Sequence, residues 1–325
     1  MLSTLRRGWQ LPVIPDAVVW SPVVGLARTL VALGGLITVL LTPADYLFRP
    51  VAGLGSYPLC TNLDQIGVFC LMREDLSLAQ GICALILVAV ISGFLPQITS
   101  LLHLWVAFSI SSSISIPEGG DQIATIIALL LVPICVTDPR VNHWSRVRTA
   151  RRFYEPRAGF ALVFLIGIKL QLTVLYFYSA AGKLFVTEWA EGTALYYIGQ
   201  GFFGASGLPL WVITTVSSTA LGAAALTWGT IALELALAAT LLTRGRARLL
   251  IAIAGVALHL GIIVFIGLWS FQIIMIGGLV LLATPIRSPA FTAGFSLRPV
   301  THRRTPLNHD ADTGAKPTME PAPMS

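Results

Sequence analysis

The residues best suited to chemistry are a few ionisable side chains within or beside long apolar segments. Lys183 lies in the run YFYSAAGKLFVTEWAEGTALYYIGQGFFG, after several aromatic residues and before Glu188 and Trp189. An aromatic, partly desolvated pocket would favour a neutral lysine that can act as a base. The alternative is a lysine that reaches the membrane interface beside a belt of aromatic side chains. Both interpretations fit this pattern.

A carboxylate in a second segment extends this candidate site. Asp121 follows two glycines in SIPEGGDQIAT, where an apolar segment begins. Its carboxylate can cap a helix, because it accepts hydrogen bonds from free amides and faces the positive end of the helix dipole. It can also face the same external cleft as Lys183. The candidate catalytic residues are therefore Lys183, Asp121, Glu188 and Trp189.

Three further ionisable residues fall inside apolar segments, where charge is costly and is usually paired. Lys169, Glu234 and His259 each lie about 14 to 16 Å from the predicted cytoplasmic end of their segment, counted at the rise of an α-helix. This spacing predicts a buried polar layer in which Lys169 pairs with Glu234 beside His259. Such a layer could serve as a proton path or a substrate contact, or it could only fix the register of the helices.

The cysteines exclude one kind of site and leave one question open. None of the four falls in a CxxC or Cys/His spacing, so we predict no metal site. Cys60 and Cys70 lie in PLCTNLDQIGVFCL, a loop predicted to be external, where disulfides persist. They either form a disulfide or remain as two free cysteines.

The composition indicates which elements must position these residues. Of 325 residues, 55% are hydrophobic and 11% are charged, against about 25% charged in soluble domains. This balance excludes an ordinary cytosolic protein and predicts an all-α polytopic membrane protein with a bundle of about eight transmembrane helices. The apolar segments are 23–41, 78–95, 98–116, 121–137, 158–182, 219–243, 248–268 and 270–285.

Two of these assignments have alternatives. The last two segments are separated only by Trp269 and Ser270, so a count of seven spans is also compatible with the pattern. The stretch from Leu208 to Ser218 is apolar but short, which favours an interfacial or re-entrant piece.

The basic residues predict the orientation. Most of the 21 Lys and Arg residues fall on one side of the predicted bundle, which is typical of cytoplasmic loops. We therefore expect a cytoplasmic segment 1–22, a membrane domain 23–285, a disordered cytoplasmic tail 286–325, and no nucleic-acid partner. The linker that decides this orientation contains Arg140, Arg146, Arg148, Arg151, Arg152 and Arg157.

Several runs resemble a known family. The runs YFYSAAGKL, EWAEGTALYYI, LTWGTIALELALAATLLTRGRAR and VALHLGIIVFIGLWSFQ resemble the horizontally transferred transmembrane (HTTM) domain family, which includes the membrane part of vitamin K-dependent gamma-carboxylase. The run FSISSSISIPEGGDQIATIIALLLVPICVTDPRVNHW resembles one bacterial branch, the sporulation-delaying protein B family. The resemblance covers about residues 20–285.

The gamma-carboxylase side of the resemblance implies a role for Lys183. In that enzyme the lysine of the corresponding segment is the proposed base that deprotonates reduced vitamin K on the luminal face, so a quinone is a possible cofactor. Two departures weaken glutamate carboxylation as the reaction. The spacing from Lys183 to Trp189 is one residue longer than in the carboxylase, and this chain lacks the large luminal domain.

The bacterial side of the resemblance implies a different activity. Sporulation-delaying B proteins act with a partner, sporulation-delaying protein A, in maturing a secreted peptide toxin. We therefore expect a multi-pass protein of the bacterial plasma membrane that helps mature or export such a toxin, in contact with its precursor peptide and an A-like partner. The alternatives are a non-enzymatic carrier or toxin-immunity protein, and a quinone-dependent membrane enzyme. The resemblance does not decide whether the chain is an enzyme.

Overall fold

A computed structural model describes residues 19–53, 55, 57–145, 154–200 and 206–284. Within these ranges the chain is all-helical, with isolated bridges in place of any β-strand. The longer helices are α1 (Pro22–Leu41), α4 (Leu76–Ser92), α5 (Pro96–Ser113), α6 (Gly119–Val136), α7 (Tyr154–Lys183), α10 (Gly207–Ser217), α11 (Ala220–Ala238), α12 (Gly245–Ile266) and α13 (Trp269–Ala283). The shorter elements are α2 (Ala44–Leu47), α3 (Val68–Leu71), α8 (Thr187–Ala190), α9 (Ala194–Ile198) and the 3-10 turns Asn62–Ile66 and Ala239–Leu242.

Each of the eight predicted segments coincides with one helix, to within about five residues at either end. Five of these helices, α1, α6, α7, α11 and α12, are long and apolar enough to cross a membrane. The helices α4 and α13 are shorter, and α5 carries many serine, threonine and glutamine side chains. The all-helical membrane fold is therefore confirmed, whereas the count of eight spans stays a prediction.

The last two apolar segments are separate helices. Gly267 ends α12 with a φ of +87°, a conformation that glycine adopts without steric cost. Its N–H donates to the carbonyls of Ile262 and Ile263, and α13 begins two residues later. The turn therefore lies at Gly267 and Leu268. The sequence had predicted it two residues later, at Trp269 and Ser270. The short segment predicted at 208–218 is the 11-residue helix α10.

Helix α1 lies between two hydrophobic cores. One face of it packs with α6 and α13, and a second face packs with α4 and α5. The first core includes Trp20, Ile127, Leu165, Leu172 and Ile274. The second includes Ala32, Phe69, Cys83, Leu87 and Ile110.

Small residues allow α1 and α13 to approach closely. A Cβ atom added at Gly34 would lie 2.8 Å from the backbone oxygen of Ser270, and one added at Gly277 would lie 3.0 Å from the backbone oxygen of Ala27. Glycines at such crossings bring helix backbones into van der Waals contact, as is common between membrane helices.

Arg28 and Arg140 were counted among the basic residues that set the membrane orientation, but both side chains are buried. Arg28 of α1 donates from Nη2 to Thr99 Oγ1 at 2.6 Å, and its Nη1 lies 3.3 Å from Nδ1 of His143. Arg140 forms an ion pair with Asp138 at 2.7 Å, with both side chains at most 4% exposed. These contacts fix the segment after α6 against α1 and α5, so both arginines have a structural role.

His143 is held in this network as a neutral imidazole. Burial, together with the positive charges of Arg28 and Arg140, lowers its pKa to about 3. The other basic residues of this linker, at 146–152, lie outside the described ranges, as do residues 1–18 and the predicted tail at 286–325. The orientation and the proposed domain boundaries therefore stay predictions.

Candidate functional site

A cavity of about 470 Å³ lies between α7, α11, α12 and α13, next to the short helices α8, α9 and α10. Most of its wall is apolar, with side chains such as Leu226, Ile262, Phe265 and Met275. Volumes of a few hundred Å³ with few polar groups are typical of small-molecule sites. The main polar side chains in its wall are Tyr176, Ser179, Lys183, Glu234, His259 and Gln272.

Helix α7 supplies three of these groups from one face. Tyr176, Ser179 and Lys183 have the spacing i, i+3 and i+7, which places them one above another on a helix. Side chains on a helix lean toward its N-terminus, so the side chain of Lys183 reaches back by one turn. Its Nζ donates to Ser179 Oγ at 2.7 Å. The ammonium group therefore lies beside Ser179, one helical turn before the end of α7.

Lys183 forms an ion pair with Glu234 of α11. Its Nζ lies 2.8 Å from both Oε1 and Oε2 of Glu234, and the two side chains are 20% and 11% exposed. Ser179 also donates to Oε1 at 3.1 Å. The ammonium lies 5.2 Å from the centroid of the Trp189 ring, within the range of a cation–π interaction. The lysine is therefore held on three sides by a carboxylate, a hydroxyl and an indole.

A second polar group lies in the same wall. Tyr176 Oη and His259 Nε2 are 2.8 Å apart, and His259 Nδ1 lies 2.5 Å from Gln272 Oε1. Because the Gln272 oxygen can only accept, Nδ1 carries the proton, and Nε2 accepts from the tyrosine hydroxyl. Both nitrogens of the imidazole are thus hydrogen-bonded.

This arrangement sets limits on the chemistry of the cavity. The charges of Lys183 and Glu234 balance, so the cavity suits an uncharged or weakly polar group better than a free ion. The paired ammonium and carboxylate can exchange a proton, and the Tyr176 oxygen has acceptor capacity left for a ligand.

The predicted ion pair between Lys169 and Glu234 is wrong. Lys169 Nζ donates to the backbone carbonyls of Leu281, Leu282 and Thr284, at the end of α13. It therefore caps the C-terminus of a helix, where carbonyls lack partners and a cation is favoured.

The predicted polar layer is distributed over three levels of α7. His259 contacts Tyr176, about 10 Å along α7 from Lys169, and Glu234 contacts Ser179, about 15 Å from it. The depth count placed all three at one level because it assumed that the helices begin at one plane. Helix α7 in fact begins at Tyr154, ahead of its predicted beginning at 158.

Two of the four predicted catalytic residues do not line this cavity. Asp121 forms a capping box with Glu118 at the beginning of α6, in which the Glu118 N–H donates to Asp121 Oδ2 at 3.0 Å. It lines a separate cavity of about 570 Å³ with Ser270 and Trp269. Glu188 is exposed on α8 and is absent from the lining. A single cleft that contains Asp121 and Lys183 is therefore not observed, whereas Trp189 does lie beside Lys183.

The open question about the cysteines is answered. Cys60 and Cys70 form a disulfide, with their Cα atoms 5.5 Å apart. The bridge joins the segment before the 3-10 turn Asn62–Ile66 to helix α3, so it closes the loop between α2 and α4. Cys83 and Cys135 are free and buried.

The candidate residues that the sequence reasoning missed are Tyr176, Ser179 and Gln272. The regular spacing of Tyr176, Ser179 and Lys183 on one helix face was a usable signal. An amide in the otherwise apolar segment WSFQIIMIGGLVLLA was a second signal, because a buried amide needs a partner.

Comparison with known proteins gives the family. No protein-family model matches the chain, so a relation to the HTTM family or to gamma-carboxylase is not confirmed, and no solved structure matches it either. The Uncharacterized protein YitO of Bacillus subtilis (strain 168) is 38% identical over 280 residues, which are 83% of this chain and 87% of YitO. The Sporulation-delaying protein SdpB of the same organism is 30% identical over 275 residues, which are 82% of this chain and 83% of SdpB. The chain belongs to the family of the sporulation-delaying protein SdpB.

Proposed function

We propose that this protein helps to mature or export a secreted peptide toxin at the bacterial plasma membrane, and that the cavity beside Lys183 is its working site. Membership of the SdpB family supports the biological role. The ion pair between Lys183 and Glu234 in the cavity wall supports the site. The proposal includes a toxin precursor peptide as substrate and a partner resembling sporulation-delaying protein A.

The ion pair is the observation that carries the proposal. Ionisable groups within apolar helices are costly, and packed apolar residues often stabilise a fold as well as an ion pair does. A pair kept in a cavity wall, rather than in a packed core, is placed where a ligand can reach it. Lys183 can then hold a peptide carbonyl in exchange for one of its present acceptors, or release a proton toward Glu234 as it does so.

The structure does not contain the polar layer that would have favoured the non-enzymatic alternative, a carrier or an immunity protein. It was expected to depend on a layer that joins Lys169, Glu234 and His259. Lys169 instead caps α13, and Glu234 is engaged with Lys183. These three residues therefore form no continuous polar path that would support transport.

Substitution in the producing strain tests the proposal. We expect Lys183→Met and Glu234→Gln each to lower the amount of mature secreted peptide by at least tenfold, measured by mass spectrometry and normalised to the amount of the variant protein in the membrane. Arg73→Gln is the matched control, because Arg73 forms an exposed ion pair with Glu74 and does not line the cavity. Normal peptide output from Lys183→Met at normal protein level would contradict the proposed site.

A quinone-dependent reaction is a second candidate, and the shape of the cavity is the specific observation that favours it. A cavity of about 470 Å³ with apolar walls has room for a quinone ring and part of its side chain. Tyr176 and Lys183 would be the residues to hold its oxygens, and a bound quinone would supply two-electron redox chemistry. Titration of the purified protein with a short-chain menaquinone tests this. Quenching of tryptophan fluorescence that is lost in Trp189→Phe supports it, and equal quenching in both proteins contradicts it.

A further inference from the structure

A separate cavity of about 600 Å³ lies where α12 begins and α13 ends. Its walls are largely apolar and come from both helices, through side chains such as Leu249, Ile253 and Val280. Two arginines, Arg244 and Arg248, line the same cavity. It shares no lining residue with the cavity beside Lys183, so it is an independent site. We call it the arginine groove.

No acidic side chain among the described residues pairs with the two arginines of the arginine groove. The ion pairs among the described residues involve neither Arg244 nor Arg248. Arg248 donates from Nη2 to the carbonyl of Thr243, but its Nε is buried and has no hydrogen-bond partner among the described residues. A buried donor without a partner is unfavourable unless a ligand supplies an acceptor.

The beginning of α12 adds further donors at the same place. Arg244 is its N-cap residue, no side chain among the described residues caps the helix there, and its first turn has no acidic residue. The first amides of α12 therefore lack a side-chain acceptor, and the positive end of the helix dipole faces this region. Two arginines at a free helix N-terminus form an arrangement suited to a phosphate group.

We propose that the arginine groove binds an anionic phospholipid. The phosphate would accept from the guanidinium groups of Arg244 and Arg248 and from the first amides of α12, while an acyl chain would lie along the apolar wall. The apolar wall is the reason for choosing a lipid rather than free phosphate, because a small ion would leave most of that surface uncovered. The groove also lies on the predicted cytoplasmic side, where a bacterial membrane exposes anionic lipids to basic residues.

Binding measurements on the purified full chain test this proposal. The protein is delipidated in mild detergent, and dioleoyl phosphatidylglycerol or dioleoyl phosphatidylcholine is added back and counted by native mass spectrometry. We expect phosphatidylglycerol to be retained in preference to phosphatidylcholine. Arg244→Gln and Arg248→Gln should each weaken this retention about fivefold, and the double variant about 25-fold, as expected for roughly 1 kcal/mol from each arginine.

Two further variants distinguish lipid binding in the arginine groove from nonspecific attraction of an anionic lipid to any positive charge. Arg246→Gln removes the same charge from the same turn, but Arg246 does not line the groove, so its binding should remain normal. Ala252→Phe fills the groove without changing its charge, and it should reduce binding even if Arg248→Gln fails to fold. Equal losses in Arg246→Gln and Arg244→Gln, or full binding in Ala252→Phe, would overturn the proposal. So would protection of the protein against heat by inorganic phosphate to the same extent as by phosphatidylglycerol.

Discussion

Breaking the ion pair between Lys183 and Glu234 should destabilise the fold as well as the site. Removing one member of a fully buried pair costs about 3 to 5 kcal/mol, and an exposed pair is worth about 1 kcal/mol or less. With side chains 20% and 11% exposed, this pair lies between those limits. We expect Lys183→Met or Glu234→Gln alone to cost about 2 to 3 kcal/mol. For a chain of 325 residues, that lowers the thermal midpoint by about 3 to 5 °C.

A double-mutant cycle isolates the pair from other effects of each substitution. The double variant removes both charges, so no unpaired charge is left in the cavity wall. It should therefore lose little more stability than either single variant. The coupling energy between positions 183 and 234 should be about 2 kcal/mol. The same cycle between Lys169→Met and Glu234→Gln should be additive to within about 0.5 kcal/mol, because these side chains have different partners.

Thermal unfolding in detergent, followed by tryptophan fluorescence with all variants at one protein concentration, provides the measurement. Additive behaviour of positions 183 and 234 would refute the direct contact between these two side chains. Strong coupling between positions 169 and 234 would refute it equally, since that result would restore the pairing first expected from the sequence.

Three other outcomes can be measured on the same protein. Because the pKa of His143 is lowered to about 3 by burial, protonation of the unfolded chain below about pH 6.5 should reduce stability by about 2 kcal/mol at pH 5. Thermal midpoints against pH should show this slope, and His143→Gln should flatten it. Gly93→Ala should cost about 2 to 4 kcal/mol, since φ is +78° and a Cβ would lie 2.6 Å from the His143 ring, whereas Gly81→Ala, with open space around it, should be neutral or slightly stabilising. Cys60→Ser should lower stability by about 2 to 3 kcal/mol through loss of the short loop closed with Cys70, and maleimide labelling of Cys70 should appear in that variant but not in the unreduced parent.

The helices could be predicted from the sequence because the signal for them is local. An apolar run long enough to approach membrane thickness is visible without knowledge of its neighbours, and all eight runs form helices. The end of α12 could also be located in principle, since Gly267 is the residue that a left-handed helix end favours.

The partners of the polar residues could not be predicted in the same way. Lys183 and Glu234 were each identified as candidates, but their contact depends on how far α11 is displaced along α7. That displacement is set by side-chain packing between helices that are distant in sequence. About 21 Å along α7 separates Lys169, the expected partner of Glu234, from Lys183, the observed one.

The contact of Lys169 with the end of α13 bears on how this helix fits a bilayer. Helix α13 has 15 residues and is about 22 Å long, which is shorter than a hydrocarbon core of about 30 Å. A helix that ends inside lipid leaves its last carbonyls without water, at several kcal/mol for each. The ammonium of Lys169 supplies those carbonyls with donors from a helix more than 100 residues earlier in the chain. For an α13 that spans the bilayer, as the sequence predicts, this contact would offset the hydrophobic mismatch through a side chain, without tilt or thinning of the bilayer.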